Sequence, residues 1–301
     1  QLGVDPRSSW HFAFAAAGVG MTFGLITYVR RRANLAHVGQ SPVLEPGQAR
    51  PWSKLGLVAL GSLVLIAIMV LADRYKAIAI LFFAFRPSTE SRRMAAILIL
   101  FFAAQIFWAL FEQAGSSVQL FADRLTDNSI LGWTFPSAWW QSVNSVFVIL
   151  LAPVFAWLWF RLGTRSPSSP TKFALGLLFV ALSFIWMIPA AKLTTGGLVS
   201  PVWLIGLFFL QTTGEMCLSP VGLSTMTKLA PAQLTGLVMG IWFLAAALGN
   251  KIAGLLAGGF DESDPTSLVQ FFLTQAMWVG VATVLLFALV PWVKRLMGGV
   301  H

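Results

Sequence analysis

An all-α, polytopic membrane protein is the fold class this 301-residue sequence predicts, on three observations. Hydrophobic residues make up 57% and charged residues 10%, with 25 Phe, 13 Trp and a mean hydropathy of +0.78. A water-soluble globule of this size could not hide that much apolar surface. The apolar residues also fall in runs of about twenty, the length that crosses a bilayer, separated by polar connections. Finally, two acids, Glu112 and Glu215, sit in the middle of such runs. An ionised carboxylate at that depth costs roughly 2 to 3 kcal/mol, so it is kept only where it faces protein or water and has a role.

Taken in order, the first span is Trp10 to Val29, followed at once by Arg30, Arg31 and Arg32, which marks its C-terminal end as cytoplasmic. Residues 33–53 carry three Pro and two Gly and read as a linker. A further apolar helix runs from Lys54 to Ala72. Beyond Lys76 the run AIAILFFAF has only nine residues before Arg86, so it is either a short returning arm or a place where residues are missing. From Arg92 onward the pattern becomes regular, and spans are expected at 94–121, 137–160, 172–190, 200–222, 233–258 and 266–293. The domains that follow are 1–33, the last helix of an N-terminal bundle; 34–91, a cytoplasmic linker and hairpin; and 92–301, a six-helix bundle. With sides alternating, fourteen of the twenty bases fall in the cytoplasm, among them Arg30, Arg86, Arg161, Lys172, Lys228 and Arg295. The positive-inside rule thus accounts for the +9 net charge without a nucleic-acid partner, and it puts the C-terminus in the cytoplasm. The single Cys217 permits no disulfide and reads as a small packing residue. His11, His37 and His301 have no acid at ligand spacing, so neither a metal site nor an intramembrane enzyme is expected.

Helical spacing gathers the remaining polar residues into stripes. Phe101, Gln105, Trp108 and Glu112 share one face of the first bundle helix, and Gln211, Glu215 and Ser219 share one face of the fourth. Gln141, Asn144 and Ser145 add to the second, and Trp242, Ala246 and Asn250 to the fifth. Four such stripes suggest one wet cavity, with Gln141, Gln211 and Ser219 as candidate substrate contacts. Amides in membrane helices also serve simply as cross-helix hydrogen bonds, worth under about 1 to 2 kcal/mol each. Lys251 is the base that could lie at depth, a candidate for a gating salt bridge. Two acids with at most one base call for partners from outside this stretch: another part of the protein, a cationic substrate group, or a proton. An acid in an apolar cleft can hold a proton and surrender it when a cation or water enters, which makes it a coupling device. Glu112 and Glu215 also head successive sets of three helices, as in a repeat of three plus three.

The string FFAAQIFWALFEQAGSSVQLFA, Phe101 to Ala122, closely resembles the seventh core helix of the proton-dependent oligopeptide transporters, a branch of the major facilitator superfamily. GEMCLSPVGLSTMTKLAPAQLTGLVMGIWFLAAALGNKIAG, Gly214 to Gly254, resembles that family's tenth and eleventh helices. A looser resemblance runs from Trp10 to Arg295. It makes 10–29 similar to the sixth helix, 54–86 to the extra hairpin of bacterial members, and 92–296 to the complete major-facilitator-type C-terminal six-helix bundle. The resemblance implies proton-coupled symport of di- and tripeptides across a bacterial inner membrane by alternating access. The proton is the coupling ion, and no other cofactor is implied. It further implies that Glu112 serves proton coupling and an outer salt bridge, that Glu215 meets the peptide amino terminus, and that Asn144 meets the peptide backbone. Trp108 and Trp242 would line side-chain pockets. Ser145 stands where many relatives have Pro. The family's acidic-basic motif on the first helix belongs to an N-terminal six-helix half, so this chain is expected to supply the C-terminal half of the cavity, with that half and the lipid bilayer as partners. Two other readings are open: a different major-facilitator transporter for nitrate, sugar or drugs, and a cation channel subunit using the two acids as a ring.

Overall fold

A computed structural model describes residues 89–299 apart from 131 and 231–234. The expected segments within 1–88, the first span, the linker and the hairpin, lie outside the described residues. Within them are six helices long and apolar enough to cross a membrane, which confirms the all-α, multi-pass fold class.

The first span is not the single helix expected over 94–121. Helix α1, Thr89–Phe111, gives way to a 3-10 turn at Glu112–Gly115, and α2, Ser117–Arg124, restarts after it. Gly115 brings no side chain, and the chain passes through Ser116 at φ −132° and ψ −99°, outside helical values. The break is braced by side chains: Gln141 Nε2 donates to the Ala114 carbonyl at 2.8 Å, satisfying a backbone group the break frees, and Ser117 Oγ donates to Gln113 Oε1 at 2.7 Å. A two-residue hairpin, β1 at Ser129–Ile130 against β2 at Trp133–Thr134, turns through Gly132 at φ 79°. Helix α3, Trp140–Leu162, follows a short 3-10 turn, and α4 spans Ser169–Leu193. Helix α5, Val202–Leu229, runs seven residues past the expected end at 222, because a membrane helix tolerates the interior Pro220 where neighbours satisfy the freed backbone. Helices α6, Thr235–Ala257, and α7, Pro265–Met297, complete the bundle. Helix α7 is capped by Asp264, whose carboxylate accepts from the Thr266 and Ser267 amides, and it ends at Gly298 in the left-handed region.

The core lies where α4 packs against α5 and α7, with α1 alongside. Rings of Phe121, Phe184 and Phe272 meet there at centroid distances of 5.7 and 6.2 Å. Small residues set the closest approaches. A Cβ added to Gly214 of α5 would lie 2.8 Å from the Gly176 carbonyl of α4, and one added to Gly249 of α6 would lie 2.6 Å from Trp108 Cβ of α1. Helix α3 is peripheral: Trp140 is buried against Phe208, while Ile149, Leu150, Trp157 and Phe160 are exposed. One end of the bundle is tied together. Val199 bridges to the 125–127 segment through paired backbone hydrogen bonds of 2.8 Å, and Arg124 pairs with Glu262. Near that end a groove of about 330 Å³ between the hairpin and α3 is lined by aromatic and aliphatic side chains and Ser142, with no ionisable group.

Candidate functional site

Two glutamates on different helices form the centre of the site. Glu112 is the first residue of the 3-10 turn, so the break in the first span sits at the acid itself. The close approach that Gly249 permits brings the next residue of α6 alongside, and Asn250 Nδ2 donates to Glu112 Oε2 at 3.2 Å. Lys251, the candidate for a gating salt bridge, is exposed, and among the described residues no ion pair joins it to Glu112. Glu215 lies mid-way along α5, half-buried like Glu112, with the side chain of Asn144 on α3 beside it.

Asn144 is held in turn. Thr212, three residues before Glu215 on the same helix, is fully buried, and its hydroxyl lies 2.6 Å from Asn144 Oδ1 and 2.7 Å from the Phe208 carbonyl. The four-residue stripe on α5 selects Gln211, Glu215 and Ser219 and passes over Thr212. A three-residue step from Glu215, equally a neighbour on a helix face, would have found it.

The other expected residues divide into two groups. Around the acids, several buried polar atoms have no hydrogen-bond partner: both amide atoms of Gln211, Oγ of Ser219, Oε2 of Glu215 and Nε1 of Trp108. Buried polar atoms are satisfied in the great majority of cases, so unsatisfied ones clustered on the polar face of α5 fit a place where water or a ligand is bound. Trp108 is half-buried and stands edge-on to Phe107 and Phe111. By contrast, Gln141 is engaged with the Ala114 carbonyl and with Gln119 Oε1, both at 2.8 Å, and braces α3 against the break. Trp242 is only 3% exposed. Its ring fills the notch left by Gly222 on α5 and meets Phe173 of α4 at 6.1 Å. The arrangement can thus bind a cationic group between carboxylate and amide, and it can exchange a proton at either acid.

A profile of the POT family matches residues 60–278. Uncharacterized transporter YclF of Bacillus subtilis (strain 168) is 36% identical, over 99% of this chain and 64% of that protein. Peptide transporter YePEPT of Yersinia enterocolitica is 35% identical, over 96% of this chain and 63% of that protein. The crystal structure of a mutant peptide transporter POT in complex with alafosfalin superposes with a TM-score of 0.72 at 36% identity, over 96% of this chain and 62% of that one. The chain therefore spans just under two-thirds of the length of these relatives.

Proposed function

The chain belongs to the POT family, and from that premise we propose that it supplies the C-terminal half of a proton-coupled symporter of di- and tripeptides, working by alternating access in a bacterial inner membrane. The observation that carries this reading is the pair of intramembrane acids, Glu112 bonded to Asn250 of another helix and Glu215 with Asn144 of another helix beside it, with neither paired to a base among the described residues. A structural ion pair would have neutralised them, whereas a transport site needs them accessible to a proton and to a cation.

In this reading Glu215 and Asn144 form the polar end that receives the peptide ammonium, and the unpartnered Gln211 and Ser219 lie one helical turn to either side of Glu215. Trp108 gives the side-chain pocket an apolar wall with few fixed hydrogen bonds, which suits varied side chains, and Trp242, packed into Gly222, would join it only where that packing opens. Glu112 carries the coupling proton. Its place at the break of the first span lets a change of charge be felt by both halves of that span. When the cavity closes, Glu112 and Lys251 enter gating salt bridges, with an N-terminal six-helix half supplying the other partners.

The test is uptake of a labelled dipeptide by proteoliposomes containing the full-length protein. Accumulation above the external concentration is expected only with an inward proton gradient, and excess di- or tripeptide should abolish it. Ion conductance without a gradient would point instead to a channel, and uptake insensitive to peptides would point to another transported class.

A further inference from the structure

We propose that Thr212 is a positioning residue of the ammonium site, a swivel whose single hydroxyl lets Asn144 present either its donor or its acceptor end to whatever occupies Glu215. The inference rests on the reading of Glu215 and Asn144 as the place where the peptide amino terminus is held.

The argument is one of hydrogen count. The Thr212 hydroxyl has one hydrogen and two acceptors within reach, Asn144 Oδ1 at 2.6 Å and the Phe208 carbonyl at 2.7 Å. With the hydrogen directed to Asn144 Oδ1, as the structure has it, the NH2 end of the amide is left for the Glu215 carboxylate beside it. An ammonium entering the site changes the requirement, because it donates and cannot accept. It needs acceptors, and an amide showing its NH2 group would repel it. A half-turn of the Asn144 amide puts Oδ1 toward the ammonium and Nδ2 toward Thr212. Thr212 Oγ1 then accepts, and its hydrogen goes to the Phe208 carbonyl already in place. Both orientations are satisfied with no backbone movement, because a hydroxyl both donates and accepts. A fully buried apolar side chain at 212 would leave the inner end of the amide unpaired in either orientation, at the cost of an unmade buried hydrogen bond.

The swivel is tested in the full-length transporter in liposomes with Thr212→Val, which keeps the shape and removes the hydroxyl, beside Thr212→Ser, which keeps the hydroxyl. For a dipeptide with a free amino terminus, Thr212→Val is expected to raise KM about tenfold with kcat within about twofold, and Thr212→Ser to stay within about twofold of the parent. Binding of the N-acetylated dipeptide, which carries no ammonium, should change far less. The swivel is overturned if Thr212→Val leaves KM unchanged, or if serine and valine are equally impaired, which would make position 212 a matter of packing. Thr212→Ala serves the same comparison where the valine variant does not fold. Glu215→Gln separates the two levels. If it leaves KM for the free dipeptide unchanged, the ammonium reading falls and takes the swivel with it. If it raises KM while Thr212→Val does not, the swivel alone fails.

Discussion

Glu112 and Glu215 are presented to the cleft by different means, and that difference divides their roles. Glu215 projects from an unbroken stretch of α5, its position fixed by the Gly214–Gly176 approach one residue away, so it suits a fixed pole for a ligand. Glu112 opens a 3-10 turn and is held by Asn250 from a different helix, so it suits a group whose surroundings change during transport. Glu112→Gln is therefore expected to abolish proton-driven accumulation while leaving counterflow of labelled for unlabelled dipeptide partly intact. Full accumulation in that variant would remove the coupling role. Glu215→Ala should weaken binding of peptides with a free amino terminus at least tenfold more than that of N-acylated ones, by roughly the worth of a hydrogen bond to a charged group; competition assays with the two series would reveal equal loss if the assignment is wrong. The acids were legible in the sequence because a charge in an apolar run is costly enough to stand out. Their neighbours Asn144 and Asn250 were legible as members of polar stripes, but not which acid each would meet. Successive helix residues point about 100° apart, and whether Asn250 or Lys251 meets Glu112 depends on how Gly249 seats α6 against Trp108, which composition does not record.

At the scale of elements, the broken first span and the long α5 have one lesson in common. Hydropathy follows side chains, and both features belong to the backbone. The run from 94 to 121 is apolar on both sides of Glu112–Ser117, so averaged over its length the pattern gives one helix. The structure instead interrupts it at Glu112–Ser116 and braces the interruption with Gln113, Ser117 and Gln141. The expected span stops at 222, yet the helix runs on through Pro220 to Leu229. Each brace has a measurable consequence. Gln141→Leu removes the donor to the Ala114 carbonyl, so amide hydrogen exchange over residues 113–117 should quicken about tenfold, with exchange in α4 unchanged. Gly249→Val places a side chain where a Cβ would already lie 2.6 Å from Trp108 Cβ. It should destabilise the bundle by about 1 to 3 kcal/mol through overpacking. A lowered thermal midpoint in detergent, together with lost proton coupling from the displaced Asn250, would confirm the contact; an unchanged midpoint would refute it.

For the molecule as a whole, the open question is which side of the membrane each loop faces, and charge and geometry constrain the answer jointly. Helix α4 joins the 163–168 loop to the 194–201 loop across 25 residues, about 37 Å at 1.5 Å per residue, longer than the roughly 30 Å of hydrocarbon. The two loops must therefore lie on opposite sides. Arg161, Arg165 and Lys172 flank the first, whereas Lys192 is the one base beside the second, so the positive-inside rule puts the first loop in the cytoplasm. The number of spans was legible because six apolar runs with polar joints leave little freedom in counting. Sidedness was legible only as a statistical excess of bases. Cysteine labelling can measure it, since within this stretch Cys217 is the single cysteine and is only 2% exposed, so it adds little background. Thr164 and Thr195 are exposed, one in each loop. In intact cells a membrane-impermeant maleimide should label the Thr195→Cys variant, and should label the Thr164→Cys variant only after permeabilisation. The reverse pattern would invert the whole bundle and move the C-terminus outside. Labelling of both from outside would mean that α4 does not cross the bilayer, and the shared cleft built on α3, α5 and α6 would lose the frame that encloses it.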